Sequence, residues 1–182
     1  YKIDGFFDKV LDKFKKETRN RPKVLAVYDQ GYVDPEGLIR RIEFIYERGD
    51  LLNAKILIIG DDDLISIAIG LTHLAKKIIV LEIDERLVNF INKKAKKLNL
   101  NVKAHKYNVE EKLPTNLQKK FDIFITDQVE TLPGIKLFLS RGMMSLKGEG
   151  SSGYFTLTTL EASLNKWHKI EKFLLDSGFV IT

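Results

Sequence analysis

Lys55-Ile56-Leu57-Ile58-Ile59-Gly60-Asp61-Asp62-Asp63 is the stretch on which the fold turns. A short, continuous apolar run closed by glycine reads as a strand buried on both faces, because a half-exposed strand would alternate apolar and polar residues. A helical pattern follows to about Lys76, and Lys77-Ile78-Ile79-Val80-Leu81 then repeats the run before it stops at Glu82. Strand, helix and buried strand make a βαβ unit with a right-handed crossover. Downstream the alternation continues: a helix from about Glu85 to Leu98, strands at Val102 to Tyr107 and Phe121 to Ile125, a helix near Gly134 to Leu146, a strand at Gly153 to Leu157 and a helix from about Leu160 to Asp176. Phe179-Val180-Ile181-Thr182 reads as a sixth strand. The predicted fold is therefore α/β, a doubly wound and mostly parallel sheet covered by helices on both faces.

Upstream of the deciding stretch, Asp34-Pro35-Glu36 supplies an N-cap with proline at the first helical position, and the helix runs through Ile39, Ile42, Ile45 and Tyr46 to Gly49. Phe6-Phe7, Val10-Leu11 and Phe14 recur at helical spacing among Lys and Asp residues. Residues 1–23 are read as an arm from a preceding domain, and residues 24–182 as the main domain with its closing strand beyond Thr182. The first residue is Tyr1 and no signal-peptide pattern follows it, so a fragment is expected.

The composition narrows the chemistry. The 182 residues include no cysteine, which removes disulfides, thiolate metal sites and thiol nucleophiles. Thirty Lys and Arg against twenty-five Asp and Glu give +5, so a polyanion is a candidate partner. Most of that charge lies in runs such as Lys93-Lys94-Ala95-Lys96-Lys97 and Lys119-Lys120, which read as solvated faces. No run approaches the roughly 20 apolar residues of a membrane span, so a soluble, cytoplasmic protein is expected. The Lys- and Glu-rich composition fits a hot environment.

In a doubly wound sheet the ligand lies beyond the carboxyl ends of the strands. The first such loop offers one glycine and three carboxylates, Gly60-Asp61-Asp62-Asp63, where a pyrophosphate would need close backbone donors and no negative charge. Nicotinamide dinucleotides and nucleoside triphosphates are disfavoured. Two like charges about 4 Å apart repel by roughly 4 kcal/mol at an effective dielectric of 20, so this loop selects a cation. The second strand ends Leu81-Glu82-Ile83-Asp84, where an acidic side chain can accept hydrogen bonds from ribose hydroxyls; Glu82 is the better placed and Asp84 the alternate. A ribose site beside a loop hostile to phosphate points to an adenosyl sulfonium. Asn108, on the third loop, is a candidate for the adenine amino group or an ordinary turn residue.

The fourth strand ends Thr126-Asp127-Gln128-Val129-Glu130-Thr131, adding two carboxylates at the same edge. Helix capping accounts for one carboxylate, with Asp62 or Asp63 the candidate, and not for five. The cluster is read as a site for a polyamine or another cationic amine, with Asp127 orienting or deprotonating the attacking nitrogen. His73, His105 and His168 lack ligand spacing and no metal is expected. Ser151-Ser152-Gly153 reads as a loop and Trp167 as packing. Tyr28, Asp29 and Gln30 are placed to close over the site.

Four stretches together carry a resemblance: Gly60-Asp61-Asp62-Asp63-Leu64-Ile65-Ser66-Ile67-Ala68, Glu82-Ile83-Asp84-Glu85-Arg86-Leu87, Thr126-Asp127-x-x-Glu130-Thr131 and Leu137-Phe138-Leu139-Ser140-Arg141-Gly142. From about Tyr28 to Thr182 the chain resembles the branched-chain polyamine synthases, the N(4)-bis(aminopropyl)spermidine synthases of thermophiles. The resemblance implies a class I methyltransferase-like fold and transfer of aminopropyl groups from decarboxylated S-adenosylmethionine to the internal nitrogen of spermidine. It places the donor's aminopropyl end or the acceptor's ammoniums at Asp61, Asp62 and Asp63, the ribose at Glu82, and the attacking amine at Asp127 and Glu130. The family has two prolines where Gln128 and Val129 stand here, and their loss predicts a less firmly placed acceptor. Two other readings remain at this point. One is an S-adenosylmethionine-dependent methyltransferase acting on nucleic acid or a protein amine; the other is a non-catalytic binding domain of the same fold. A homo-oligomer is expected, and a membrane partner is not.

Overall fold

The computed structural model describes residues 5–28, 30–31 and 33–182. Its elements in chain order are α1 (Phe6–Thr18), α2 (Pro35–Glu47), β1 (Lys55–Ile59), α3 (Ile65–Thr72), β2 (Lys77–Glu82), α4 (Glu85–Leu98), β3 (Val102–Lys106), β4 (Ile123–Thr126), α5 (Leu132–Ser145), β5 (Ser152–Phe155) and α6 (Leu164–Asp176). The five strands pair in parallel in the order β3-β2-β1-β4-β5. The chain winds outward from β1 through β2 to β3, then returns to the other side of β1 for β4. This reversal leaves a crevice between the carboxyl ends of β1 and β4.

Alternate residues of each strand feed two separate cores. Ile56, Ile58, Ile78, Val80, Val102, Ala104, Ile123 and Ile125 face the side covered by α1 to α4. Leu57, Ile59, Ile79, Leu81 and Phe124 face the side covered by α5 and α6. Every residue of α3 is buried, which is why its sequence is apolar all round and carries no amphipathic stripe. Side-chain caps set the starts of other helices: Asp34 accepts from the Gly37 amide of α2, Asp84 from Arg86 of α4, Thr131 from Gly134 of α5 and Ser163 from Lys166 of α6.

Helix α1 packs into this domain: Phe7, Val10 and Phe14 lie in the same core as α2 and α3, and Glu17 binds Lys94 at 3.2 Å and Lys97 at 2.8 Å on α4. Its apolar stripe is an inner wall of the domain. One sequence expectation changes here: Phe179-Val180-Ile181-Thr182 does not form a strand, and the sheet among the described residues has five. Gly178 adopts φ +84° and the Phe179 amide donates to the Leu174 carbonyl at 2.9 Å, so the segment is drawn into the closing turn of α6 and leaves Val180 and Ile181 exposed.

Phe124 shows how closely the second core is packed. Gly142 of α5 and Gly153 of β5 lie against its ring, and a Cβ at either glycine would run into ring atoms. Gly142→Ala is therefore expected to destabilise the protein by about 1 to 3 kcal/mol. A fall of several degrees in the thermal unfolding midpoint checks this; an unchanged midpoint would contradict the packing.

Candidate functional site

Register alone brings the acidic loops together. Ile59 lies opposite both Leu81 and Thr126, so Gly60, Glu82 and Asp127 emerge side by side. Gly60 has φ +74°, and a Cβ there would approach the Asp127 carbonyl oxygen to 2.7 Å. A side chain at this position would push the two loops apart, which is the reason for glycine. Four residues later Leu64 also takes φ +62°, a left-handed conformation costing of order 1 kcal/mol for a non-glycine residue. Complete burial of its side chain holds it there.

The three consecutive aspartates part company. Asp61 is buried: its carboxylate accepts from the Ser66 amide at 3.2 Å and from the Ser66 hydroxyl, at the first turn of α3. The capping role expected of Asp62 or Asp63 thus falls to Asp61, whose carboxylate is turned into the fold. Asp62 and Asp63 face the crevice, where one oxygen from each lies within 4.8 Å of one another and of an Asp127 oxygen. That spacing would also suit a divalent cation. The repulsion is offset by neighbours: the Gly31 amide donates to Asp62 at 2.9 Å, the Val33 amide to Asp63 at 2.8 Å, and the Arg41 guanidinium sits 3.4 Å from Asp63. The residues just after the segment expected to close over the site reach it through these amides. Tyr28 and Gln30 line the crevice; Asp29 lies outside the described residues.

Glu82 is buried at the crevice floor, with one oxygen accepting from the Asp61 amide at 2.8 Å and the other from the Asp84 amide at 2.9 Å. Both oxygens keep a free lone pair for further donors. Asp84, by contrast, caps α4. Its carboxylate accepts from Arg86 and from Gln30, and it lies outside the crevice lining. Asn108 lines the crevice while its side-chain oxygen accepts from the Glu110 amide at 3.0 Å, an Asx turn. Behind that loop the Arg141 guanidinium binds the carbonyls of Val109 and Glu111 at 3.1 and 2.9 Å. Glu130 is exposed at the rim.

The loop after β4 is firmly held despite lacking proline. Gln128 donates to the Thr156 carbonyl at 2.6 Å, and Lys166 of α6 donates to the carbonyls of Glu130 and Glu161 at 2.9 and 2.6 Å. Val129 fills the space above Gly134, where a Cβ would collide with it. The expected looseness is thereby offset. Among the described residues, sequence reading missed Arg41, the backbone amides of Gly31 and Val33, and Lys166; none carries a motif, because each reaches the site from a different element. Trp167, partly buried, packs against Phe155 with ring centroids 6.4 Å apart, the packing role expected of it.

The crevice has a volume of about 720 Å³, with Ile59, Leu81, Tyr107 and Phe138 as its apolar wall. That lies within the roughly 300 to 1,000 Å³ of small-molecule sites. Loss of hydration raises the carboxyls of Asp61, Asp63 and Glu82 above their ordinary range, with repulsion from neighbouring acids added to it. For Asp84 burial acts upward but the Arg86 and Gln30 bonds outweigh it, and the group is lowered. Asp127 is pushed up to about 8, first by lost hydration, then by the charge and hydrogen bond of Asp62 and by the charge of Asp63. The Asp127 side chain is exposed to water in the crevice, which tempers the loss of hydration and makes the charges of Asp62 and Asp63 the principal cause of the shift.

Architecture and site together define a class: this is the fold of the S-adenosylmethionine-dependent methyltransferases. An O-methyltransferase of that kind from Thermotoga maritima is 17% identical, with a TM-score of 0.58 over 92% of this chain and 55% of that one, a likeness of fold alone. Residues 9–182 match the model for the branched-chain polyamine synthase A C-terminal domain, and the chain belongs to that family. The N(4)-bis(aminopropyl)spermidine synthase of Methanocaldococcus jannaschii is 45% identical over 178 residues, 97% of this chain and 51% of that protein. The branched-chain polyamine synthase of Thermus thermophilus, solved in complex with N4-aminopropylspermidine and 5′-methylthioadenosine, is 40% identical with a TM-score of 0.93, covering 96% of this chain and 51% of that one. The chain spans about half the length of the curated relatives it matches.

Carboxyls raised in the folded state hold protons that the unfolded chain has released, so folding stability falls as pH rises from about 4 towards 8. The unfolding midpoint of the ligand-free protein is expected to drop between pH 5 and pH 8, and Asp127→Asn to flatten that drop. Added spermidine, a polycation, should raise the midpoint more at pH 8 than at pH 5. A pH-independent midpoint would contradict this electrostatic picture.

Proposed function

We propose that this domain is the catalytic part of an aminopropyltransferase that moves aminopropyl groups from decarboxylated S-adenosylmethionine to the internal nitrogen of spermidine. The observation that carries the reading is the convergence of Asp62, Asp63 and Asp127 on one crevice, a cation site at the sheet edge where an adenosyl group is held in this fold. Family membership supports the activity, as does a bound aminopropylated spermidine and methylthioadenosine in the Thermus relative. The donor preference follows from charge. S-adenosylmethionine would bring a carboxylate towards three others, whereas the decarboxylated donor brings only a sulfonium and an ammonium.

In this reading Glu82 accepts from the ribose hydroxyls, and the Asn108 loop borders the adenine. Asp127 lies where the attacking amine arrives. A polyamine nitrogen is protonated at neutral pH and must lose its proton before it can attack. Asp127, charged above about 8 and brought lower by an incoming cation, is suited to take it. The nitrogen lone pair then forms a bond to the aminopropyl carbon as the carbon–sulfur bond breaks. Its electron pair goes to sulfur, neutral methylthioadenosine leaves, and the positive charge passes to the new tertiary ammonium. Asp62 and Asp63 stabilise positive charge throughout, and the fixed crevice supplies the in-line alignment. A second transfer to the same nitrogen gives the quaternary product.

Asp127→Asn should lower turnover at least a hundredfold while methylthioadenosine still binds, since the amide cannot accept the proton. In the wild type, kcat/KM for spermidine should rise with pH through a single ionisation, and that limb should vanish in the variant. Steady-state kinetics with mass detection of product decides it. Turnover within threefold of wild type would remove Asp127 from this role.

A further inference from the structure

The amino edge of the sheet, roughly 13 Å from the acidic crevice along β1, carries the opposite charge. Strand register puts it there. Lys55 begins β1 and lies opposite Lys77, which begins β2; on the next strand Lys103 of β3 lies opposite Ile79. Alternation then sets the face. Leu57 and Ile79 point into the core under α5 and α6, so Lys55, Lys77 and Lys103 share that side of the sheet. All three are exposed. Burial and then the charges of Lys103 and Lys77 hold the His105 imidazole below its ordinary value, so both charges reach one place. On the other side of β1 the row continues. The amides of Lys119 and Lys120 donate to the Met144 and Ser145 carbonyls at the end of α5, at 3.1 and 2.8 Å. The Lys147 ammonium pairs with one oxygen of Asp122, whose other oxygen accepts from the Lys55 amide at 2.7 Å. Among the described residues no carboxylate lies within ion-pair distance of Lys55, Lys77, Lys103, Lys119 or Lys120.

Helix ends account for part of this row. The carbonyl end of α5 favours basic residues beside it, which explains Lys119 and Lys120. It does not explain three lysines on strands, whose dipoles nearly cancel in a sheet. Lys119 moreover takes φ +54°, a left-handed conformation that glycine adopts without strain and lysine does not. Like charges on paired strands repel, so the row costs stability until a partner supplies negative charge. We propose that the amino edge of the sheet is a docking surface for the phosphate backbone of a double-helical nucleic acid, centred on Lys55, Lys77 and Lys103. A straight row of cations matches a linear array of phosphates. Three inter-strand gaps of about 4.8 Å carry it over roughly 14 Å from β4 to β3, and a duplex presents one charge per ~1.7 Å of axis, so several phosphates lie within reach. The exposed aromatic side chains among the described residues are elsewhere: Tyr28 lines the crevice and Phe44 sits on α2. The contact is therefore to phosphates and not to bases, and it is independent of sequence. It lies at the opposite end of the sheet from the acidic crevice and needs neither donor nor acceptor, so it stands apart from the aminopropyltransferase reading.

The test measures binding of a fluorescein-labelled DNA duplex of about 20 base pairs to the natural full-length protein, by anisotropy, from about 50 to about 200 mM salt. Neutralising about four phosphates should make the affinity fall roughly a hundredfold across that range. The triple variant Lys55→Gln, Lys77→Gln, Lys103→Gln is expected to bind at least tenfold more weakly at the lowest salt and with a flatter salt dependence. Its unfolding midpoint should be no lower than that of the wild type, since repulsion has been removed. Lys9→Gln, Lys13→Gln and Lys16→Gln together, at exposed positions of α1, remove the same net charge and should leave the affinity within threefold of wild type. A wild type that does not bind the duplex would overturn the proposal, as would a strand variant that binds no more weakly than the α1 variant. Binding to phosphatidylglycerol vesicles that needs the strand lysines, with none to the duplex, would also overturn it and make the partner a membrane surface.

Discussion

Three carboxylates within 4.8 Å of one another are a repulsive arrangement that a fold must hold in place by other means. Each pair would cost several kcal/mol at the effective dielectric near a protein surface if all were charged. Here the strain is met partly by proton uptake at Asp127 and partly by donors: the amides of Gly31 and Val33 and the guanidinium of Arg41. The rest of the structure keeps these partners from moving away. The β1 and β4 strands fix the register that puts Gly60 against the Asp127 carbonyl, and the wholly buried α3 anchors the acidic loop through Ser66 and Leu64. A polycation entering the crevice replaces repulsion by attraction, so binding energy and site architecture are coupled.

The same arrangement explains how a protein of net charge +5 can present an anionic site. Its lysines are placed elsewhere. Those of the 93–97 run lie on α4, where Lys94 and Lys97 pair with Glu17 of α1 and the others face solvent. The crevice mouth is instead bordered by Glu110, Glu130 and Glu161. Overall charge is thus a poor guide to the partner; the sign of the charge at the carboxyl edge of the sheet is the informative quantity.

Much of this was readable from the residues, for identifiable reasons. Unbroken isoleucine and leucine runs ended by Gly60 and Glu82 reveal buried parallel strands, and the sheet edge then follows from topology, so Asp62, Asp63, Glu82, Asn108, Asp127 and Glu130 were found at one crevice. What stayed hidden depends on side-chain direction or on contacts between distant segments. Nothing in Asp-Asp-Asp tells that the first turns inward to Ser66, and nothing in Glu-Ile-Asp tells that Asp84 caps α4 while Glu82 faces the floor. Arg41 and Lys166 reach the loops from helices far away in sequence. For helix α1 amphipathicity specifies a buried face and not what buries it, so its packing on α2 to α4 was not legible. The apolar tail after Gly178 looks like a strand because propensity cannot see that a helix-closing turn captures Phe179.

Whether the acidic crevice selects an adenosyl donor lacking a carboxylate and passes its aminopropyl group to a polyamine, as proposed, is decided by turnover of the full-length protein with spermidine, offered decarboxylated S-adenosylmethionine in one reaction and S-adenosylmethionine in another, with products identified by mass. Aminopropylated spermidine is expected from the first and no transfer from the second. Methylated product from the second, with the first left unconsumed, would contradict it.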